Sequence, residues 1–458
     1  MPRREHLLKI GVSGVRGVVG EFLTPSLACA FAQAFGTYVD GGRVVIGRDT
    51  RASGEMLQHA VACGLLAAGC EVVDVGVLPT PTVQVYVGAT RARGGIAVTA
   101  SHNPPEYNAL KLFNARGLFF NRYERGDLID LYHQSAFRQA ANYEIRRITP
   151  DPETPARLHF ERILKRVDGD RIRAHRFRAA LDAVNGAGSL VSCRFLEEAL
   201  GCELHAIAVD PTKPFPRAAE PRPEALGELS ELVRREGCQI GFAQDPDADR
   251  LAVVDETGRV LDSDDVLALV VEAVLDRLPG DVVVNLSTSA VIDDVAGQRG
   301  RRVYRTPVGE ANVVEVMQAV KAVVGGEGSN GGIIFPEVHL CRDSYTGMAF
   351  LLGRMAETGQ PISALAARLP RYARKFGETA YEHGLLGVLM QALEDAFPGA
   401  ELDRSDGLKV TLPDGWIHLR ASNTEPLVRL AAEARTRQQV EDLYGRVMQL
   451  VADTGPRQ

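Results

Sequence analysis

A serine at residue 101 stands inside Thr99-Ala100-Ser101-His102-Asn103-Pro104, between the apolar run Gly95-Ile96-Ala97-Val98 and a proline-stopped polar turn. Asn108 and Lys111 follow closely. A hydroxyl carried out of a buried strand into a bend faces outward, ready for transfer chemistry. The same residue types also make an ordinary strand-ending turn. What separates the two readings is company: Asp245-Pro246-Asp247-Ala248-Asp249-Arg250 and Arg420-Ala421-Ser422-Asn423-Thr424-Glu425-Pro426. A hydroxyl, a set of carboxylates and an anion cradle together form a phosphoryl-transfer constellation.

In an extended segment residues i, i+2 and i+4 project to one side, so Asp245, Asp247 and Asp249 are expected to converge. Unpaired, three such carboxylates repel and raise each other's pKa. A hard divalent cation resolves the conflict, and oxygen-only ligands suit Mg²⁺ or Ca²⁺ better than zinc. Glu256 even falls at position twelve of a calcium-binding helix-loop-helix. Position six is Arg250 where that loop needs glycine, and Leu251-Ala252-Val253-Val254 reads as a strand. The helix-loop-helix is therefore rejected.

The hydroxyls and backbone N–H groups of 420–426, with Arg420 and Arg429, make a phosphate cradle. Taken alone, Ser-Asn-Thr-Glu-Pro equally fits a helix cap. Gly325-Gly326-Glu327-Gly328-Ser329-Asn330-Gly331-Gly332 lacks the Lys-Ser/Thr ending of a nucleotide-binding loop. Its one carboxylate with Ser329 and Asn330 suits the hydroxyls of a sugar. Thr306-Pro307-Val308-Gly309 forms a further turn before it. Arginines at Ser13–Gly17 and Gly47–Gly54 read as surface charges unless the other loops draw them in.

Composition narrows the classes. At 458 residues the chain exceeds one core, and 45% hydrophobic with 24% charged residues is that of a soluble globular protein. Net charge is −7, so no bulk positive field for nucleic acid exists, and anionic ligands must be met locally. No run approaches a bilayer span, and Met1–Val12 has no apolar leader core. The seven cysteines form no CxxC pair and no histidines make HxxxH, which fits reduced thiols in a cytoplasm and argues against a zinc hydrolase.

A unit of strand, turn, helix and strand recurs three times. It runs from Val44–Gly47 to Val72–Gly76, from Ala179–Val184 to Leu204–Val209, and from Val282–Leu286 to Val303–Thr306. Parallel pairing and three similar α/β domains are the expectation. Thr149–Pro155 reads as a linker, and Pro211–Pro223 as a loop internal to the second unit. After Gly359 come an expected basic helix near 362–374, a helix near 384–395, and strands at Leu408–Val410 and Trp416–Leu419, a small α+β domain.

Together these motifs resemble the α-D-phosphohexomutase family of phosphomannomutases, phosphoglucomutases and phosphoglucosamine mutases, over essentially the whole chain and in the family's order. The resemblance implies an α/β fold of four domains around a central cleft: three similar α/β domains with mixed sheets, then a C-terminal α+β domain. Boundaries are expected at 1–150, 151–253, 254–368 and 369–458. Ser101 would carry the phosphoryl group, with His102, Lys111 and Arg16 as charged groups around the reacting oxygen. Asp245, Asp247 and Asp249 would hold Mg²⁺, which also touches the phosphate on Ser101. Arg250, Thr306, Gly309, Glu327, Ser329 and Asn330 would bind the sugar. Arg420, Ser422, Asn423, Thr424 and Arg429 would grip the non-reacting phosphate.

The implied reaction moves phosphate between O6 and O1 of a hexose through a bound hexose 1,6-bisphosphate. The implied partner is a small-molecule sugar phosphate, with no nucleic acid or membrane, in a monomer or homodimer. Asn330-Gly331-Gly332 replaces a common Gly-His pair, and Ala109 a common glycine. The Gly-Gly-Glu…Phe-Pro style with Arg342-Asp343 looks like archaeal-type phosphoglucosamine and phosphoglucomutases. A serine-dependent phosphatase is disfavoured by the second phosphate grip, and a non-catalytic sensor by the intact serine and aspartates.

Overall fold

The computed structural model describes residues 9–11, 14–380, 386–421 and 427–454. Among them, four sheets follow one another along the chain. Each opening unit is parallel: Arg43–Arg48 beside Glu71–Val77, Arg178–Asp182 beside Glu203–Ile207, and Val282–Asn285 beside Val303–Thr306. β-branched residues stiff at χ1 fill these strands, and Val44, Val45, Ile46, Val282, Val283 and Val284 are fully buried.

The repeat goes further than the parallel pairs. On the other side of each first strand lies a third parallel strand: Gly94–Val98, Ile240–Gln244 or Val324–Glu327. Next to it runs an antiparallel fourth: Tyr107–Asn114, Leu251–Asp255 or Gly332–Phe335. Ser101, the three aspartates and Ser329 therefore occupy the same connection, third strand to fourth, in successive domains. Open α/β sheets present ligand loops at the carboxyl ends of their strands.

The last sheet is wholly antiparallel, ordered Ala373–Ala380, Leu427–Ala434, Gly415–Ala421, Leu408–Leu412, Glu401–Asp403. Its core, from Leu389 to Val447, is separate, whereas one buried cluster runs through all three preceding sheets. The last domain is joined to the third through polar groups. Lys409 Nζ donates to Leu286 O at 2.7 Å, and His418 Nδ1 lies 2.8 Å from Ser287 Oγ. Ala290 N donates to Glu433 Oε1 at 2.8 Å.

Two expectations are corrected. The helix near 362–374 covers only Ile362–Ala367, because Pro370 removes a donor and biases its predecessor away from helix; Ala373 then opens a strand. The segment 149–155 is not wholly linker. Ile148–Pro150 pairs with Glu71–Val77, and Thr154 begins the helix Thr154–Leu164, with Pro155 where no helical donor is needed. No helix among the described residues is long and apolar enough to cross a membrane.

Candidate active site

Ser101 is 3% exposed, with φ at 51°, and its Oγ donates to Asp245 Oδ2 at 2.7 Å. A serine in the left-handed region persists only where its surroundings over-determine it. Arg51 does so here. Its guanidinium donates to the carbonyls of Ser101, Asn103, Pro104 and Tyr107 at 2.6–3.2 Å. Its Nε pairs with Asp49 Oδ2 at 3.1 Å. Thr99 Oγ1 donates to that same Asp49 oxygen and accepts the Ser101 N–H.

The acidic loop is a turn rather than the extended segment expected, with Ala248 at φ 54° and its N–H donating to Asp245 O. Convergence survives because the turn folds the carboxylates inward. Ligand oxygens of Asp245, Asp247 and Asp249 lie within 4.8 Å of one another, all buried. Gly186 lets the neighbouring loop approach: a Cβ there would meet Pro246 O at 2.6 Å, and Ala187 N donates to that carbonyl.

Lys111 Nζ donates to Asp247 Oδ2 at 2.5 Å and Asp249 Oδ2 at 3.2 Å. Thr80 Oγ1 also donates to Asp247 Oδ2, and Arg342 Nη2 to Asp249 Oδ2 at 2.7 Å. Asp247 Oδ1 and Asp249 Oδ1 remain buried without a hydrogen-bond partner. Two orphaned carboxylate oxygens beside a third carboxylate fit a hard cation. Burial, then Asp249 and Asp247, pushes Asp245 well above the usual carboxylate range. Burial works the same way on Asp249, but Arg342 and Lys111 hold it well below.

Positive groups ring the serine. Arg16 Nη1 donates to Asn103 Oδ1 at 2.6 Å, and burial lowers its guanidinium to about 10. His102 Nδ1 lies 3.4 Å from Ser101 Oγ. Burial, then Arg250, Arg16 and Arg342, pushes that imidazole well below its usual range, against the charged role expected of it. The Arg250 N–H donates to Asp245 Oδ1 at 3.2 Å, and its side chain opens onto a cavity of about 690 Å³. Ser287, Ser329, His418, Arg420 and Arg429 also line it, so three domains enclose one space.

Glu327 sits behind that wall, 2% exposed. Its Oε1 accepts from Gly309 N at 2.7 Å and Asn285 Nδ2 at 3.0 Å, its Oε2 from Arg342 Nη1 at 3.3 Å. Gly309, at φ 125°, opens the helix Glu310–Val320. Thr306 is buried and donates to Pro307 O, and Asn330 closes the short turn Gly328–Asn330. Arg420 lies 3.5 Å from Asp406 Oδ2; burial lowers its pKa, Asp406 raises it and Arg429 lowers it again. Ser422, Asn423 and Thr424 lie outside the described residues.

Sequence reasoning left four participants unassigned: Arg51 with its partner Asp49, Thr80, and Arg342. The Asp-x-Arg turn at 49–51 carried a faint signal, an acid and a base two residues apart after a buried strand. Thr80 had none.

A buried hydroxyl on a carboxylate triad, beside an arginine-lined cavity at the carboxyl ends of parallel strands, defines a four-domain α/β enzyme that handles phosphate. Comparison with known proteins makes that specific. The phosphoglucomutase/phosphomannomutase family models match in order: domain I over residues 7–139, domain II over 157–258, domain III over 262–372 and the C-terminal domain over 382–450. The chain is 38% identical over 447 residues to a probable phosphoglucosamine mutase of Methanopyrus kandleri, covering 96% of this chain and 97% of the relative. It is also 38% identical to a phosphoglucomutase/phosphomannomutase of Thermococcus kodakarensis, covering 94% and 96%. A crystal structure of a family protein from Burkholderia thailandensis superposes with a TM-score of 0.83 at 28% identity, covering 98% and 99%. The chain belongs to the phosphoglucomutase/phosphomannomutase family, and it is a hexose-phosphate mutase acting on a small sugar phosphate.

Proposed function

We propose that the enzyme moves phosphate between O6 and O1 of glucosamine phosphate through phospho-Ser101 and a bound hexose 1,6-bisphosphate. The observation that carries this is the Ser101 Oγ at 2.7 Å from Asp245 inside the buried triad. Names of relatives support glucosamine, since the Methanopyrus kandleri protein is a probable phosphoglucosamine mutase. Mannose and glucose phosphates are the alternatives, after the Thermococcus kodakarensis protein.

In the forward half, the Oγ–P bond of phospho-Ser101 breaks as a substrate hydroxyl oxygen bonds the phosphorus; that hydroxyl gives up its proton and the freed Ser101 Oγ takes one up, so a phosphoryl group moves one way and a proton the other. In the return half the bisphosphate, turned end for end, gives its other phosphoryl group to Ser101. There the hydroxyl proton of Ser101 is given up and the freed sugar oxygen gains one, with His102 Nδ1, 3.4 Å from Ser101 Oγ, placed to carry it. Mg²⁺ held by Asp245, Asp247 and Asp249 would supply charge neutralisation to the transferring oxygens. Lys111 fixes the Asp247 and Asp249 rotamers, while Arg16 and Arg250 add positive charge at the reacting oxygen. Ser329 faces the cavity on the sugar-reading side, and Thr306, Gly309, Glu327 and Asn330 belong to the loops that support it from behind. Arg420 and Arg429, with Ser422, Asn423 and Thr424, hold the phosphate that is not reacting.

We place one of these loops in each domain, divided at 150/151, at 368/369 and, since the strand Leu251–Asp255 belongs whole to the second sheet, after Asp255 rather than at the expected 253/254, and infer a cytoplasmic monomer or homodimer. A coupled assay over glucosamine, mannose, glucose and N-acetylglucosamine phosphates tests the sugar. Intact-mass analysis tests the carrier: a phosphorylated fraction is expected in the parent and not in Ser101→Ala, which should be inactive. Turnover by Ser101→Ala would sink the phosphoserine route.

A further inference from the structure

Arg342 is the last residue of the strand His339–Arg342, and its side chain is largely buried. It reaches three carboxylates at once: Asp249 Oδ2 through Nη2 at 2.7 Å, Glu310 Oε2 through Nε at 3.0 Å and Glu327 Oε2 through Nη1 at 3.3 Å. These come from the acidic turn, the helix start after Gly309, and the strand end before Gly328–Asn330. All three are buried. Three buried carboxyl groups around one point are strongly unfavourable as they ionise unless a cation with several directed donors stands between them. A planar five-donor guanidinium meets three directions; an ammonium on one stem does not.

The backbone makes room for it. A Cβ on Gly332, in the neighbouring strand, would meet Arg342 Cδ at 2.5 Å. Beside it, Leu251 N donates to Gly331 O at 3.0 Å, and a Cβ on Gly331 would meet Leu251 O at 2.4 Å. The acidic turn and the sugar-reading loop are thus pressed together through bare glycine backbone and locked by one side chain. By taking Asp249 Oδ2, Arg342 also leaves Asp249 Oδ1 as the oxygen without a partner.

We propose that Arg342 is a positioning residue for the mutase reaction, holding the acidic turn and the sugar-reading loop in one rigid frame. This rests on the assignment of Ser101 and the three aspartates to phosphoryl transfer. Losing the clamp leaves Asp249 Oδ2 on Lys111 alone, at 3.2 Å, and Glu327 Oε2 without its guanidinium. Cation binding and the chemical step should both suffer, more than substrate affinity.

The test uses the full-length protein with Arg342→Ala, Arg342→Lys and Arg342→Gln. Mg²⁺ half-saturation is read from the ion's effect on the thermal midpoint, without turnover, and kcat and KM are measured on two hexose phosphates. Arg342→Ala should raise the Mg²⁺ half-saturation and lower kcat, each roughly ten- to a hundred-fold, the scale of a lost charge-assisted hydrogen bond. KM should move much less, added guanidinium should restore part of kcat, and Lys should recover only a fraction. Should Ala fail to fold, Lys and Gln carry the comparison. Parent values of kcat and Mg²⁺ half-saturation in any folded variant would overturn the proposal, as would kcat loss matched only by a smaller folded fraction. Ser101→Ala runs beside them: full turnover there would overturn the reading of the reaction itself, whatever Arg342 does.

Discussion

Arg420 and Arg429 stand directly opposite each other on the antiparallel strands Gly415–Ala421 and Leu427–Ala434, at the two ends of one hairpin connection. Like charges in register destabilise a sheet by up to about 1 kcal/mol. Both side chains line the same cavity. Asp406 at 3.5 Å from Arg420 and Glu378 at 3.9 Å from Arg429 meet them loosely, and a bound phosphate would meet both at close range.

Replacing either arginine by alanine should therefore weaken every hexose phosphate by a similar factor. Loss of a charge-assisted hydrogen bond worth about 1.5–3 kcal/mol corresponds to roughly ten- to a hundred-fold in kcat/KM. Stabilisation of the protein by inorganic phosphate should fall in parallel. Kinetics on glucose and glucosamine phosphates, in both directions, check it; a strongly sugar-selective loss would contradict the role.

Asp247→Asn should weaken Mg²⁺ binding and slow transfer more than it weakens substrate binding. It removes charge from the residue whose Oδ2 anchors Lys111 and Thr80 and whose Oδ1 has no protein partner. Mg²⁺ titration followed by thermal shift is the check. Unchanged metal affinity would remove Asp247 from the site.

Arg51→Ala should destabilise the protein by about 3–5 kcal/mol, because it strands the fully buried Asp49 and releases four carbonyls of the serine loop. Arg51→Lys should recover little, since one ammonium cannot serve those directions. Urea denaturation gives the energy, and limited proteolysis should show new cleavage between Thr99 and Tyr107. Parent-like resistance in the alanine variant would deny the brace.

Glu310 makes a pH prediction. Burial pushes its carboxyl up to about 7; Arg342 opposes this, while Asp249 adds to it, with Lys111 and Glu327 the other charged groups nearby. A raised carboxyl contributes stability that is full below its unfolded value of 4.5 and is lost as pH rises through about 7. Glu310→Gln removes that dependence. The variant should gain stability relative to the parent between about pH 5 and pH 8, read from paired denaturation curves. A difference that stayed flat with pH would mean Glu310 is ionised throughout.

Much of this architecture is legible in the chain because its signals are local. β-branched runs around a helical period announce the three parallel pairs, and an odd set of scattered cysteines fits reduced thiols. The alternation of aspartates at 245, 247 and 249 points to a group that could hold a cation, although the backbone that gathers them is turned at Ala248 rather than extended. The helix expected near 362–374 stops at Ala367, short of Pro370, and Ala373 opens a strand.

What the tertiary structure alone decided is which loops meet. Ser101 and Asp245 are 144 residues apart, Lys111 and Asp247 136, and Arg342 and Asp249 93. No local pattern encodes such partners. Ser101 and the aspartates lie in third-to-fourth strand connections, Lys111 on the fourth strand of the first sheet and Arg342 on the last strand of the third, and one buried core joins those three sheets. Residue type states what a side chain can do. Whether Arg51 is a surface charge or a buried brace, and whether Glu327 faces the cavity or stands behind its wall, depends on which distant backbone packs against it.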